Sequence, residues 1–352
     1  MADTKAEGIV IACGMHVYAG GFTQGMLRAG FEVGLHLESS GFGGKVVANN
    51  LSVSRIDTVE AWPTTISANV LFANPPCAPW SRAGRGGGVF DQRVHDFVSV
   101  VDYAMDSEVD VVLIESVQGA IKQGYGFIYR EATRLADDGR VVYLVTYDNQ
   151  HLGVPHTRRR FMLVASRYVI DLRLHEITTA PVAREVLDDV QQCRYEPKPL
   201  SDVKIKAWEE SRPGENLVHA FDRRMSREYR DVEEWPRTKH GKIAGRPGFL
   251  HRRLDPDAVV PTLMGNATLL HYAEPRYLTI EEQKRCAGFD SDWWLPPNSS
   301  AYGLIGKGVM PGCGQWFGER IEESLRIRKQ ADAGVVMVDL EKQANSQLAL
   351  RL

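Results

Sequence analysis

A doubly wound, mostly parallel α/β sheet with a second, smaller domain is the fold class this sequence predicts. Short apolar runs alternate with helical patterns through the first half, and the composition turns polar and irregular near Val169. The chain has 352 residues, more than one average domain length. Alternation of this kind puts consecutive strands side by side with helices on both faces. Ligand sites then lie beyond the carboxyl ends of the strands.

In order, residues 8–13 read as a strand, Phe22 to Ala29 as a helix, Glu32 to Leu37 as a second strand and Val70 to Ala73 as a third. Val94 to Met105 has helical spacing, Val109 to Ile114 is a strand, and Tyr129 to Asp137 is a helix stopped by Asp138-Gly139. Val141 to Val145 and Arg160 to Ala165 are further strands, and the last ~25 residues read as a helix with a polar end. Cys77 and Glu115 both fall just past predicted strand ends.

Composition narrows the function classes. The apolar fraction of 43% supports an ordinary globular core, and a formal net charge of -3 excludes a uniformly basic, histone-like binder. The five cysteines, at 13, 77, 193, 286 and 313, contain no CxxC pair. That argues for a reducing compartment and against a zinc site or disulfide framework. No apolar run is long enough to span a bilayer, so a soluble, cytoplasmic monomer without metal or membrane partner is the expectation.

The most informative residue is Cys77, in Asn74-Pro75-Pro76-Cys77-Ala78-Pro79-Trp80-Ser81. Adjacent prolines fix φ and remove two backbone donors, so the sulfur is aimed by a stiff turn. Arg82-Ala83-Gly84-Arg85-Gly86-Gly87-Gly88 then reads as a mobile cationic loop suited to a polyanion. A second basic region runs from His219 to Arg253, with ten Lys/Arg against five Asp/Glu and the rings Phe221, Tyr229, Trp235 and Phe249 between them. Such a run reads as a solvated face or as a nucleic-acid surface; interleaved rings favour the latter. Ser81, Arg82, Arg85, Arg223, Arg224, Arg227, Lys239 and Lys242 are the candidate nucleic-acid contacts.

Six motifs in one order resemble the DNA (cytosine-5) methyltransferase family over nearly the whole chain. The family's Pro-Pro-Cys nucleophile motif matches Pro75-Pro76-Cys77, and its Glu-Asn-Val motif appears as Glu115-Ser116-Val117. Its Gly-Val-Pro-Gln-x-Arg-x-Arg motif appears as Gly153 to Arg160, with His156 in place of glutamine. The cofactor loop resembles Ala19-Gly20-Gly21-Phe22, Arg276 to Phe289 looks like the segment after the recognition domain, and Gly306-Lys307-Gly308-Val309-Met310-Pro311 matches the last motif. The resemblance implies a class I, Rossmann-like, S-adenosylmethionine-dependent catalytic domain over residues 1–168 plus 276–340. A target-recognition domain over 169–275 would bind duplex DNA.

It also implies roles. Cys77 would add to carbon-6 of a flipped-out cytosine, Glu115 would bond its N3 and amino group, and Arg160 and Arg158 would hold the carbonyl oxygen and the cysteine turn. His16, Tyr18, Gly20, Gly21, Phe22, Glu38, Asp57 and Lys307 would hold the cofactor. Taken singly, each has a plainer reading: Glu115 a carboxylate at a helix start, the arginines a solvated turn, His156 a structural residue.

The cofactor positions depart from the family. Gly14, His16 and Tyr18 stand where its first motif has aspartate, phenylalanine and glycine, and Lys307 stands where its last motif has asparagine. A lysine there either pairs with an ordinary anion or serves as counter-ion to a carboxylated donor, carboxy-S-adenosylmethionine, which would give 5-carboxymethylcytosine. An RNA cytosine-5 methyltransferase and a catalytically inactive DNA-binding relative are the remaining alternatives.

Overall fold

A computed structural model describes residues 10–38, 41–51, 55–58, 63–81, 87–107, 109–176, 178–188, 197–227 and 251–349. In chain order, β1 (Ile11–Met15) leads to α1 (Gly21–Arg28), β2 (Glu32–Glu38), α2 (Gly41–Asn50), β3 (Arg55–Thr58) and β4 (Val70–Ala73). There follow α3 (Val94–Asp106), β5 (Val111–Val117), α4 (Gln118–Gln123), α5 (Tyr125–Asp137), β6 (Val141–Asp148) and β7 (Arg159–Ser166). Next come α6 (Ala183–Leu187), α7 (Asp202–Glu210), α8 (Leu217–Arg227), β8 (Arg252–Arg253), β9 (Leu269–Leu270), α9 (Ile280–Cys286) and α10 (Ser300–Lys307). The chain finishes with α11 (Pro311–Ile327), β10 (Gly334–Asp339) and α12 (Leu340–Ala349).

Contacts divide the chain into two units. The first holds residues 1–152, 159–179 and 307–352; the second holds 153–158 and 180–306. Residues 276–306, which the sequence reading joins to the catalytic domain, cluster with the second unit.

The first unit is built on an eight-stranded sheet in the order β10-β6-β7-β5-β4-β1-β2-β3. All neighbours are parallel except β7, which is antiparallel to both β5 and β6. The mostly parallel α/β fold expected from the sequence is therefore the fold observed. Strands β4 and β5 are buried apolar runs, as a sheet covered on both faces requires. On one face, Phe97, Val101, Phe127, Ile128 and Leu135 of α3 and α5 pack with Leu71, Val112 and Leu163 of the sheet. Helices α1 and α11 meet at glycines: a Cβ on Gly25 would fall 2.4 Å from the Pro311 carbonyl oxygen.

Two local expectations change. Glu115 lies inside β5 rather than past its end, because β7 pairs with Ser116 and Val117 and extends the strand. The C-terminal segment contributes β10, parallel to β6, before its last helix. The second unit carries the β8–β9 pair and a small core of Leu200, Ala207, Leu217, Val218, Phe221 and Tyr277. Arg253 stacks over Trp208 at 4.0 Å from its ring centre.

Candidate active site

The sheet's direction of winding reverses between β1 and β4: the chain runs outward through β2 and β3, then returns to place β4 on the other side of β1. A crevice forms beyond the carboxyl ends at such a reversal. The segments leaving β1 and β4 are the glycine turn before α1 and the Asn74–Trp80 turn that carries Cys77.

Cys77 is half-buried, whereas the other described cysteines, at 13, 286 and 313, are buried. Burial pushes the Cys13 and Cys286 thiols well above the usual range, which makes them poor nucleophiles. The Trp80 amide donates to the Cys77 carbonyl at 3.1 Å and closes the turn. The Trp80 ring then packs against Phe127, 5.9 Å between centres. Two glycines make that fit possible. A Cβ on Gly119 would lie 2.3 Å from the Trp80 carbonyl oxygen, and one on Gly124 would lie 2.7 Å from its ring.

Glu115 is 2% exposed and doubly held. Asn74 Nδ2 donates to its Oε2 at 2.6 Å, and Arg160 Nε pairs with its Oε1 at 2.9 Å. The register explains the meeting. Ala73 is aligned with Ile114, so Asn74 emerges beside Glu115, while Arg160 is aligned with Val117 on the other side. Asn74, Gly119 and Gly124 were absent from the sequence candidates. A polar residue ending an apolar strand, and glycines inside a helical pattern, were the available signals.

The other motif residues diverge. Arg158 precedes β7 and is buried in the second unit, where it donates to the carbonyls of Leu263 (3.1 Å) and Gly306 (2.9 Å). His156 is fully buried with Nδ1 3.1 Å from the Cys286 carbonyl, the structural reading that the sequence allowed. Thr157 is stitched to the same unit by Val260 and Thr262.

On the cofactor side, Gly20 has φ 73 and caps α1, while His16 (φ 55) and Tyr18 (φ 52) are non-glycine residues in the left-handed region. The Val17 amide between them donates to Glu38 Oε1 at 2.7 Å. Burial pushes the Glu38 carboxyl up to about 8, partly offset by that amide, and pushes the His16 imidazole down to about 4. Burial first, and then the nearby charges of Cys77, Glu38, Asp96 and Glu115, raise the Tyr18 phenol. At the tips of β2 and β3, Glu38 is aligned with Thr58 and Asp57 with Leu37, one position earlier. Gly43 leaves Glu38 room, since a Cβ there would lie 2.2 Å from Oε2. Acceptors at the tips of β2 and β3 beside a bare glycine turn fit an adenosine moiety with two ribose hydroxyls.

Phe22 is a correction. It is wholly buried against Phe72, ring centres 4.9 Å apart, so it has no surface to offer a ligand and belongs to the core. Gly14 is enclosed likewise: a Cβ there would meet His36 and Phe72 at 2.8 Å, leaving no room for a carboxylate. Lys307 is exposed, ends α10, and makes no hydrogen bond or ion pair among the described residues. Ser81 is half-buried at the end of the cysteine turn. Arg223, Arg224 and Arg227 lie in α8, with side chains outside the described structure. Arg82, Arg85, Lys239 and Lys242 lie outside the described residues altogether.

Comparison with known proteins gives a concordant result. The family model for C-5 cytosine-specific DNA methylase matches residues 13–323. A Methanocaldococcus jannaschii protein named "Putative type II methyltransferase" is 24% identical over 271 residues, 73% of this chain and 78% of its own. The human tRNA (cytosine(38)-C(5))-methyltransferase is 26% identical over 113 residues, 28% of this chain and 26% of its own. Among solved structures, an Escherichia coli "putative DNA modification methyltransferase encoded within prophage" superposes with TM-score 0.66 at 18% identity, covering 90% of this chain and 99% of that one. The S. pombe Dnmt2 methyltransferase superposes with TM-score 0.61 at 13% identity, covering 90% and 99%.

Proposed function

The chain belongs to the C-5 cytosine-specific DNA methylase family, and on that premise we propose that it methylates carbon-5 of cytosine in duplex DNA through a covalent Cys77 adduct. The observation that carries this reading is the joint placement of Cys77 and Glu115 by one residue run: Asn74, three positions before the sulfur, is bonded to the buried carboxyl. A thiolate adding to carbon-6 makes carbon-5 nucleophilic, and Cys77 supplies it from a stiff turn. Glu115, oriented by Asn74 and Arg160, accepts from the amino group of the ring and shares a proton with N3, which fixes the ring over the sulfur and takes up its developing charge. Once carbon-5 has gained a methyl group, loss of its proton to solvent expels the thiolate and frees the product.

S-adenosylmethionine, when bound, supplies an electrophilic methyl group. Glu38, Asp57 and the Gly20-Gly21 turn would hold its adenosine, with Tyr18 bordering Cys77. Arg158 is assigned a structural role, clamping the carbonyl that precedes Lys307. Lys307 stands in the last turn of a helix, where the helix dipole favours a cation, so methyl rather than carboxymethyl transfer is the reading. The basic α8 region and the longer match to the type II relative support DNA. Similarity to tRNA methyltransferases supports an RNA substrate as the second reading.

The test is nucleoside mass spectrometry after incubation with cytosine-containing duplex DNA or structured RNA. Each cofactor is supplied separately, with Cys77→Ala as control. 5-Methylcytosine in DNA, absent with the alanine variant, is expected. Product in RNA alone would replace the DNA reading, and a carboxymethyl product would overturn the account of Lys307.

A further inference from the structure

Two residues of the turn leaving β1, His16 at φ 55 and Tyr18 at φ 52, hold backbone conformations that suit glycine. Tyr18 lies inside a tight turn, closed by the Gly20 amide on the Val17 carbonyl at 2.8 Å. At such a φ the Cβ crowds the adjoining carbonyl, and for a bulky residue the conformation is a genuine outlier. A glycine would take up this turn without strain, and the first motif of the family has one there. This chain carries a half-buried phenol ring instead. Strained residues of this kind cluster at ligand clamps and active sites.

The ladder fixes where that ring starts from. Met15 is aligned with Ala73, and the Asn74 amide continues the pairing onto the Met15 carbonyl at 3.1 Å. Tyr18 and Cys77 each follow that rung by three residues, 15 to 18 and 74 to 77, on adjoining strands. On its other side the turn is tied to β2. The His16 amide donates to the Leu37 carbonyl at 3.2 Å, and the Val17 amide to Glu38 Oε1. Tyr18 is thus one residue from the contact with the carboxyl assigned to the ribose, and it leaves the sheet beside the turn that carries the nucleophile. The charges that, after burial, raise its phenol belong to Cys77, Glu38, Asp96 and Glu115, each an anion when ionised. Surroundings of that sign favour a cation.

The methyl donor brings a cation to this place. Its sulfur is positive until the methyl group leaves and neutral afterwards. The face of an aromatic ring attracts a cation within about 6 Å of its centre, most strongly where water is excluded. We propose that Tyr18 is a specificity-determining residue whose ring faces the sulfonium of the methyl donor, so that the protein holds the charged donor and lets go of the neutral thioether product. Such a contact weakens as the charge is dispersed, so it serves donor selection and product release rather than the transfer itself. A side chain that merely filled the place of a glycine would hold donor and product alike.

This inference rests on the S-adenosylmethionine reading above, and binding measurements separate the two. Calorimetry gives dissociation constants for S-adenosylmethionine, for S-adenosylhomocysteine and for an analogue with a protonated amine in place of the sulfonium. Wild type, Tyr18→Phe and Tyr18→Leu are compared. Phenylalanine keeps the ring without the hydroxyl, and leucine keeps apolar bulk without the ring. The ratio of two ligands on one protein cancels any loss of folded material. Preference for both cationic ligands over S-adenosylhomocysteine should fall about 3- to 30-fold in Tyr18→Leu and stay within about twofold of wild type in Tyr18→Phe. An unchanged preference in Tyr18→Leu, or an equal loss in Tyr18→Phe, would overturn the role of the ring. Failure of wild type to bind any of the three ligands would instead refute the cofactor reading.

Discussion

Replacing Gly119 with alanine adds one carbon at the joint between the acid strand and the cysteine turn. The new Cβ would lie 2.3 Å from the Trp80 carbonyl oxygen, whereas ordinary contact begins at 3.4 Å, so one side must give by about 1 Å. The Trp80 ring already packs so near the Gly124 backbone that a Cβ there would lie 2.7 Å from it, so the indole has little room to retreat on that side. The displacement passes through the hydrogen bond between Trp80 and the Cys77 carbonyl into the nucleophile itself. Misplacement on the order of 1 Å costs roughly a hundredfold in rate, and overpacking costs about 1–3 kcal/mol of stability. The assay is single-turnover methyl transfer at saturating cofactor and DNA, with cofactor affinity measured separately by calorimetry. Gly119→Ala should lower the rate about a hundredfold with cofactor affinity intact. Gly126→Ala is the control, since nothing lies within 4 Å of its Cβ, and it should keep wild-type activity. A Gly119→Ala protein with the wild-type rate would refute the claim that this packing aims Cys77.

Asn74→Ala removes a buried charge-assisted hydrogen bond worth about 1.5–3 kcal/mol and should lower kcat more than it raises KM; a pure KM effect would contradict its role in orienting Glu115. Arg160→Lys keeps the charge but not the Nε donor, so kcat should fall about tenfold, and full activity would show that Glu115 needs only a nearby cation. Glu38 has a folded pKa of about 8 against an ordinary 4.5, so its protonated form is the one the fold favours. Its contribution is complete below about 4.5 and is lost as pH rises toward 8, so the urea midpoint of wild type relative to Glu38→Gln should fall across that window. Parallel pH profiles for the two proteins would refute it.

Much of this site is legible in the sequence because it depends on local chemistry. Val70 to Ala73 is an apolar run ended by prolines, and it forms the strand it predicts. What depends on register is not legible. That Asn74 and Arg160 converge on Glu115 follows from which residues of β4, β5 and β7 lie opposite one another, and no periodicity encodes it. The same limit hid β10, a six-residue apolar run whose only distinction is the free edge of β6 that it covers. It also misassigned Phe22, whose position after two glycines fits a cofactor loop while its ring fills the core beside Phe72. Arg158 and Arg160 look equivalent in sequence, yet β7 begins between them.

The antiparallel direction of β7 gives the motif order a physical reason. In a parallel sheet, groups at the working edge must follow their strands, as Cys77 follows β4 and the cofactor turn follows β1. Glu115, near the end of β5, conforms to this. An arginine from a parallel neighbour would also have to follow its strand. Because β7 runs the other way, its first residues lie at that edge, and Arg160 at its start pairs with Val117 at the end of β5. Strands β1, β4, β5 and β7 are consecutive in the sheet. At about 4.8 Å per step, the cofactor turn, nucleophile, acid and arginine are set out in one row spanning roughly 15 Å, within reach of a single base and its donor. Reversal of one strand is thus what allows a residue that begins an element to act beside residues that end theirs.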